Sequence, residues 1–284
     1  MTIQLSAAIV AQWFIASQLL DIPVHDEQVT TYLNVSGPSG LYYKPRGTCV
    51  GNANGTKITY VRVYKGGNDM ICHILKTLDA PYGQTSTPRA LNVTFVRDPL
   101  EHFVSGFTEI VHRVPTRPLV YTKDAYTFVQ HLQHLKPNAS STAMAFVRDF
   151  VARRLNRQTD VTDAHCFPQI AFLQQHLPHR LQFVGTLQPG GFTTSFRAMS
   201  TLINYTLNPV SNNRHPKTSA TSGNPFRRAM EALMYNELNP YKEAMCRALL
   251  IDYVCFNFEL PADCASAIGD HHVRCPVRVP PRRD

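Results

Sequence analysis

The sequence predicts an α/β fold in which a parallel sheet is flanked by helices within a single domain. Residues 58–64 are β-branched and aromatic, as in a buried strand, and a glycine-containing turn leads from them into apolar residues with helical spacing. The alternating run from Leu91 to Phe95 is followed in the same way by a turn and a helical pattern. Two such units in succession favour parallel strands joined by crossover helices. A length of 284 residues suits one sizeable domain of this kind.

The first 57 residues are expected to form an N-terminal helix and an irregular lead-in. Residues 1–20 are apolar, but they lack a basic start and are interrupted by glutamines. This pattern favours an amphipathic helix over a degenerate membrane anchor, which remains the alternative and would tether the chain to a membrane. Residues 34–57 are rich in Gly, Asn, Ser and Pro, which predicts a loop with a short hairpin at Asn54 and Gly55.

The α/β domain is expected to span residues 58–260, followed by an irregular, basic tail over residues 261–284. Beyond the first two units, one more short strand is expected at residues 181–186. The helical patterns and the main polar loop follow in order: helices at 125–135, 143–155, 168–177 and 193–202, a loop at 207–224, and one or two helices at 225–258 that break at Pro240.

Charge and cysteine content narrow the classes of function. The 28 Lys and Arg against 20 Asp and Glu give a net charge of +8, which suits an anionic ligand. Long basic blocks are missing outside the tail, which disfavours nucleic-acid binding. The seven cysteines include no Cys-x-x-Cys pair, so no metal site is expected. An oxidising compartment would allow a disulfide among Cys255, Cys264 and Cys275, and the odd count leaves at least one thiol free or paired between molecules.

Five N-glycosylation sequons favour the secretory route, although such triplets also arise by chance. They begin at Asn34, Asn54, Asn92, Asn138 and Asn204.

The segment Leu91–Arg113 contains a candidate anion site. Asp98 is suited to cap the helix that follows, and Pro99 fits its first turn, where a missing N–H costs nothing. Arg97 precedes this helix start, and Ser105 lies on the polar face of the helix. Backbone N–H groups and the positive dipole end favour an anion here, and a phosphate is the natural candidate.

A second candidate lies at Lys65-Gly66-Gly67-Asn68-Asp69. A lysine leaves a strand, two glycines allow close approach of the backbone, and Asn68 or Asp69 is expected to cap the next helix. An ordinary strand-to-helix turn is the alternative. The chain contains no Gly-Lys-Ser/Thr sequence, which counts against a kinase or other nucleoside triphosphatase.

Together, the two turns resemble the nucleotide signatures of the sulfotransferases, and the match is closest to the Golgi carbohydrate sulfotransferases. In that family, a Lys-x-Gly-x-Ser/Thr loop holds the 5′-phosphosulfate of 3′-phosphoadenosine 5′-phosphosulfate (PAPS), and an Arg-Asp-Pro-x5-Ser segment holds the 3′-phosphate. The resemblance implies a P-loop-like fold. It also implies that PAPS contacts Lys65, Gly66, Gly67, Asn68, Asp69, Arg97 and Ser105.

Two further segments resemble the family, so that the resemblance spans about residues 58–258. The block around His165, Pro168 and Gln169, followed by Phe-Val-Gly at 183–185, is similar to a His-x-x-Pro-Gln and Phe-x-Gly pair. The block at 252–258 is similar to an Asp-Tyr-x-x-Phe-x-Tyr element. The chain departs from the family at Asp69, where a hydroxyl residue is usual, and at His102, where arginine is frequent; Asp69 is expected to cap the helix rather than face the anion.

The resemblance implies in-line transfer of a sulfuryl group to an acceptor hydroxyl, with a glycan as the acceptor. Lys65 would act on the transferred group. Glu109 and His112 are candidates for the base, with a solvated helix face as the alternative. His165 would orient cofactor or substrate unless it is structural, and Arg113 would contact the substrate.

Two other functions compete with a sulfotransferase. One is a catalytically inactive protein of the same fold that binds a glycan or nucleotide, and the other is a small-molecule kinase. The Golgi lumen or membrane is the expected location, with the cytoplasm as the alternative.

Overall fold

The computed structural model describes the chain in ten stretches, and several expectations fall outside them. The described residues are 48–63, 67–78, 89–113, 138–155, 164–166, 168–176, 181–187, 191–207, 223–236 and 239–265. Outside them lie the expected N-terminal helix, the helix at 125–135, most of the loop at 207–224, the tail beyond residue 265, Lys65 and Gly66.

Strands and helices alternate along the described chain. The strands are β1 (Thr48–Ala53), β2 (Thr56–Val61), β3 (Arg89–Val96) and β4 (Phe183–Thr186). The α-helices are α1 (Asn68–Lys76), α2 (Pro99–Arg113), α3 (Ala139–Leu155), α4 (Gln169–His176), α5 (Gly191–Ile203), α6 (Pro225–Met234), α7 (Lys242–Cys255) and α8 (Ala262–Ala265), and a 3₁₀ turn spans Ala164–Cys166. The predicted break at Pro240 is confirmed, because α6 ends before it and α7 begins after it.

The sheet has the order β1-β2-β3-β4, and it is mixed rather than wholly parallel. Strands β2, β3 and β4 run parallel, as predicted, while β1 pairs antiparallel with β2. The expectation of an irregular segment up to residue 57 was wrong for residues 48–53, but the hairpin at Asn54 and Gly55 is confirmed. These two residues have φ angles of 47° and 70°, the positive values that a two-residue hairpin turn requires.

Helices cover both faces of the sheet, because its strands bury apolar side chains on both. Leu91, Val93 and Phe95 belong to a core with residues of α1 and α5. Val96 belongs to a second core with residues of α2, α3, α6 and α7. Since successive side chains of a strand point to opposite faces, the sheet forms the middle of three layers.

Disulfides join helices to their neighbours. Cys49 of β1 is bonded to Cys72 of α1, and Cys246 of α7 is bonded to Cys264 of α8. Cys255 is also disulfide-bonded, whereas Cys166 is a buried free thiol. A disulfide does form near the C-terminus, but Cys264 pairs with Cys246, which lies outside the expected set, because α8 folds back against α7.

The described residues provide neither a membrane-spanning helix nor a metal site. None of their helices is long and apolar enough to cross a bilayer. Groups of three or more His, Cys, Asp or Glu that could hold a metal are likewise missing among them.

Candidate functional site

The helices that follow the two candidate turns begin at one edge of the sheet, where the parallel strands end. Because β2 and β3 are neighbouring parallel strands, the starts of α1 and α2 lie at the same edge. Strand β4 adds Leu187, whose N–H donates to the carbonyl of Val96 at 2.9 Å. A Cβ atom on Gly67 would lie only 3.3 Å from a methyl group of this leucine. The edge therefore combines two helix starts with the end of β4.

The start of α1 differs from the prediction that Asn68 or Asp69 caps it. Gly67 is the N-cap, with a left-handed φ of 71° and no side-chain capping bond. Asn68 instead accepts a hydrogen bond from the buried hydroxyl of Tyr60 at 2.8 Å, because that hydroxyl has left water and needs an acceptor. Asp69 is 64 % exposed and lies 3.8 Å from the guanidinium of Arg62. Neither side chain satisfies the first N–H groups of α1.

The start of α2 matches the prediction. The Asp98 carboxylate accepts hydrogen bonds from the N–H groups of Leu100 at 3.0 Å and Glu101 at 3.1 Å. Pro99 is the first residue of the helix. This cap fixes the chain direction immediately after Arg97 and leaves the arginine side chain at the edge of the sheet.

Arg97 is a largely buried cation with unused hydrogen-bonding capacity. Within the described part of the chain, its buried Nε–H has no hydrogen-bond partner. Burial lowers the pKa of the guanidinium, Glu101 raises it, and Arg227 lowers it further. A buried guanidinium N–H without a partner is costly, and an anion at this edge would satisfy it.

Gln169 connects Arg97 to α4. The side chain of Gln169 accepts from the Arg97 N–H at 2.9 Å and donates to the Arg97 carbonyl at 2.8 Å. Both backbone polar groups of the arginine are thus bonded to one amide, which is fully buried. The Arg97 turn is held by the protein independently of what its side chain binds.

Asp252 in turn holds the start of α4. Pro168 precedes this helix and has no side chain that can cap it. The buried carboxylate of Asp252 on α7 accepts from the N–H groups of Gln169 at 2.6 Å and Ile170 at 2.8 Å instead. Burial raises its pKa to about 7, although the hydrogen bonds from Ile170 and Gln169 oppose this effect. Hydrogen bonds therefore connect the Arg-Asp-Pro, Pro-Gln and Asp-Tyr segments.

The alternative of a solvated helix face is wrong for Glu109 and right for His112. Ser105 and Glu109 are 9 % and 3 % exposed, whereas Glu101 is partly exposed and His112 is exposed. Glu109 and His112 lie about 15 and 20 Å from Pro99 along the helix axis. The structure therefore does not bring these two candidate bases to the edge where the helices start. Arg113 is the last residue of α2.

The 3₁₀ turn packs against α2 at Gly106, and His165 is buried there. A Cβ atom on Gly106 would lie 2.1 Å from the carbonyl oxygen of His165, so the two backbones touch next to Ser105. His165 is 9 % exposed. Its place against the helix is therefore set by backbone packing.

We expect Gly106→Ala to lower the free energy of unfolding by about 2–3 kcal/mol, because the added methyl group collides with backbone atoms that cannot rotate away. Chemical denaturation measures the effect. Gly223→Ala is the matched control, since its added Cβ would have no neighbour within 4 Å. Equal losses in the two variants would contradict the close contact between α2 and the 3₁₀ turn.

Arg227, whose charge acts on Arg97, escaped the sequence analysis. Arg227 of α6 donates to Glu101 at 2.9 Å and to Glu231 at 2.7 Å. The local sequence does not indicate an ion pair between residues 101 and 227, because the packing of α2 against α6 brings their side chains together. The sequence alone shows Arg227 only as a basic residue in the first turn of α6.

Comparisons with family models, curated proteins and solved structures find no match to this chain. The geometry and chemistry of the edge alone therefore bear on function.

Proposed function

We propose that the protein is a sulfotransferase that transfers the sulfuryl group of PAPS to a hydroxyl group of a carbohydrate acceptor. One observation carries this proposal: two helix starts, at Gly67 and Asp98, share an edge of the sheet with the buried guanidinium of Arg97. Helix N-termini and arginine are the groups that proteins use to bind phosphate esters. Two such places at one edge suit a nucleotide that carries phosphate at both its 3′ and 5′ positions.

The crossover from β2 through α1 to β3 supports a P-loop-like arrangement within this proposal. Both strands are parallel, and each leads at its carboxyl end into a turn and a helix. Ligands of open α/β sheets bind beyond the carboxyl ends of the strands.

The bonded chain from Arg97 through Gln169 to Asp252 gives independent support. These residues come from three separate blocks by which the sequence resembles the family. Buried hydrogen bonds of 2.6 to 2.9 Å connect them. Such a hydrogen-bond network is suited to holding the Arg97 turn in one conformation.

We assign the residues of the edge as follows. Arg97 and Ser105 hold the 3′-phosphate, and Gly66 and Gly67 let the backbone N–H groups of Asn68 and Asp69 approach the 5′-phosphosulfate. Lys65 stabilises the charge that develops as the sulfuryl group leaves the phosphate for the acceptor oxygen. His165 orients the substrate from its place against α2.

The distant positions of His112 and Arg113 along α2 favour contacts to an extended acceptor, whereas Glu109 is only 3 % exposed and is not placed to touch one. A base must come within hydrogen-bond reach of the hydroxyl that reacts, and residues about 15 Å further along a helix do not meet that requirement if the reaction occurs at the edge. A glycan chain is long enough to reach both places.

The disulfides support a location in the Golgi lumen. Cys49–Cys72, Cys246–Cys264 and the bonded Cys255 are typical of an oxidising compartment. A membrane tether through the N-terminal segment is part of this proposal.

A nucleotide-binding protein of the same fold without activity is the second candidate. The exposed Asp69 favours it, since a carboxylate in the first turn of α1 would repel a phosphosulfate.

Titration with 3′-phosphoadenosine 5′-phosphate, the desulfated product, tests the proposal by calorimetry. Saturable binding together with transfer of label from PAPS to members of a glycan panel is the expected result. No binding at millimolar product contradicts both candidates, whereas binding without transfer favours the inactive protein.

In the same assays, Lys65→Ala should reduce turnover by about a hundredfold while weakening product binding only a few-fold, because the lysine acts on charge that appears during transfer. Lys57→Ala, which removes a lysine exposed on β2, is the control. Full activity of Lys65→Ala would contradict the role given to this lysine.

A further inference from the structure

The negative charge of Glu101 opposes phosphate binding at the proposed site. It lies in the first turn of α2, four residues after Arg97. A carboxylate at this place stabilises the positive end of the helix, yet it would also repel a bound phosphate. The Glu101 charge acts on Arg97, as its effect on the pKa of the guanidinium indicates.

Arg227 is held in a fixed position beside the carboxylate of Glu101. Asn224 caps α6 by accepting from the N–H groups of Phe226 at 2.9 Å and Arg227 at 3.2 Å, which fixes the backbone of the arginine. The arginine Nε donates to Glu231 at 2.7 Å, and its Nη2 donates to Glu101 at 2.9 Å. Its side chain is only 15 % exposed. Contacts at both ends therefore restrict the guanidinium.

We propose that Arg227 is a positioning residue that holds Glu101 and neutralises its charge, so that Arg97 remains available for the 3′-phosphate. The inference rests on the proposed function. Arg227 serves two carboxylates, Glu101 and Glu231. With Arg227 present, these two carboxylates and the two arginines carry no net charge; without it, the cluster carries one negative charge. A phosphate dianion would then meet a negatively charged site, and Glu101 could turn toward Arg97.

A double-mutant cycle with 3′-phosphoadenosine 5′-phosphate tests the role of Arg227. At low salt, Arg227→Gln should raise the dissociation constant by about tenfold, as expected for the loss of one nearby compensating charge. Glu101→Gln should bind as tightly as the wild type or more tightly. The double variant Arg227→Gln/Glu101→Gln should return to within about threefold of the wild type, because no uncompensated carboxylate remains in the first turn of α2, beside Arg97.

Two controls separate this role from folding. Glu231→Gln removes the other partner of Arg227 but leaves the bond to Glu101, so it should bind at least as tightly as the wild type. The effect of Arg227→Gln should also shrink in about 0.5 M salt, which a purely structural effect would not do. Melting temperatures of all variants report how much stability each one loses.

The outcomes are distinct. If Arg227→Gln binds like the wild type, or if the double variant binds as weakly as Arg227→Gln, the positioning role is overturned; the second result would mean that Arg227 contacts the ligand itself. If the wild type does not bind the nucleotide, the proposed function fails, and thermal stabilisation by inorganic sulfate in the same variants then tests the charge relation. The same rescue pattern with sulfate would support it, and equal stabilisation of all variants would overturn it.

Discussion

Replacing Arg97 with alanine should weaken binding of 3′-phosphoadenosine 5′-phosphate by about a hundredfold or more. Charge-assisted, bidentate contacts to phosphate are the strongest hydrogen bonds available to a side chain, and this guanidinium is largely buried. Calorimetry measures the loss. Arg97→Lys keeps the charge without the planar fork and should give an intermediate affinity.

The fold should survive this change, because Gln169 holds the backbone of Arg97 rather than its side chain. Arg148→Ala is the matched control, since it removes an exposed arginine on α3. A loss of affinity shared by both variants would indicate a general effect of net charge and would contradict a local site at Arg97.

Asp252 should make the stability of the protein depend on pH. Burial raises the pKa of its carboxyl from 3.8 to about 7 in the folded protein. Between these values the folded state holds a proton that the unfolded state has released, so the contribution is fully present below about pH 4 and is lost as pH rises to about 7. The shift corresponds to at most about 4 kcal/mol.

The comparison with Asp252→Asn isolates this contribution. The variant cannot titrate at this position, so the wild type should lose stability relative to it between pH 5 and pH 7.5. Chemical denaturation over that range measures the difference. Parallel profiles would contradict a raised pKa, and a wild type that gains stability as pH rises would mean that the two backbone N–H groups dominate over burial.

Asp252→Ala extends the test, because it removes both acceptors at the start of α4. It should cost about 3 kcal/mol or more, since two buried N–H groups lose their partner. Asp149→Ala on α3 provides a control carboxylate with partial exposure.

The fold could be predicted largely from local pattern. Strand β3 and helix α2 follow from alternation, helical spacing and the Asp98-Pro99 start, all of which act within a few residues. Strand β1 was missed, because its residues have turn-like composition and become a strand only by pairing with β2. The hairpin at Asn54 and Gly55 was the one local signal for that pairing.

The site was harder to predict, because its decisive contacts join distant parts of the chain. Asn68 is a natural helix cap by residue type, yet a buried hydroxyl from β2 uses its side chain. Asp252 caps a helix that lies more than eighty residues earlier in the chain. Glu109 has the spacing of a solvated residue, yet it is 3 % exposed, because α2 packs against elements from distant parts of the chain, among them the 3₁₀ turn.

The Cys49–Cys72 bond has a consequence for how the protein tolerates cleavage. Its cysteines are 23 residues apart in the sequence. The ring that this disulfide closes contains β2 and Lys65. A protease that cuts once inside this ring opens the loop but leaves both fragments covalently joined, so the break is visible only after reduction. An intact backbone between Cys49 and Cys72 is therefore not needed to keep β1 and α1 in one molecule.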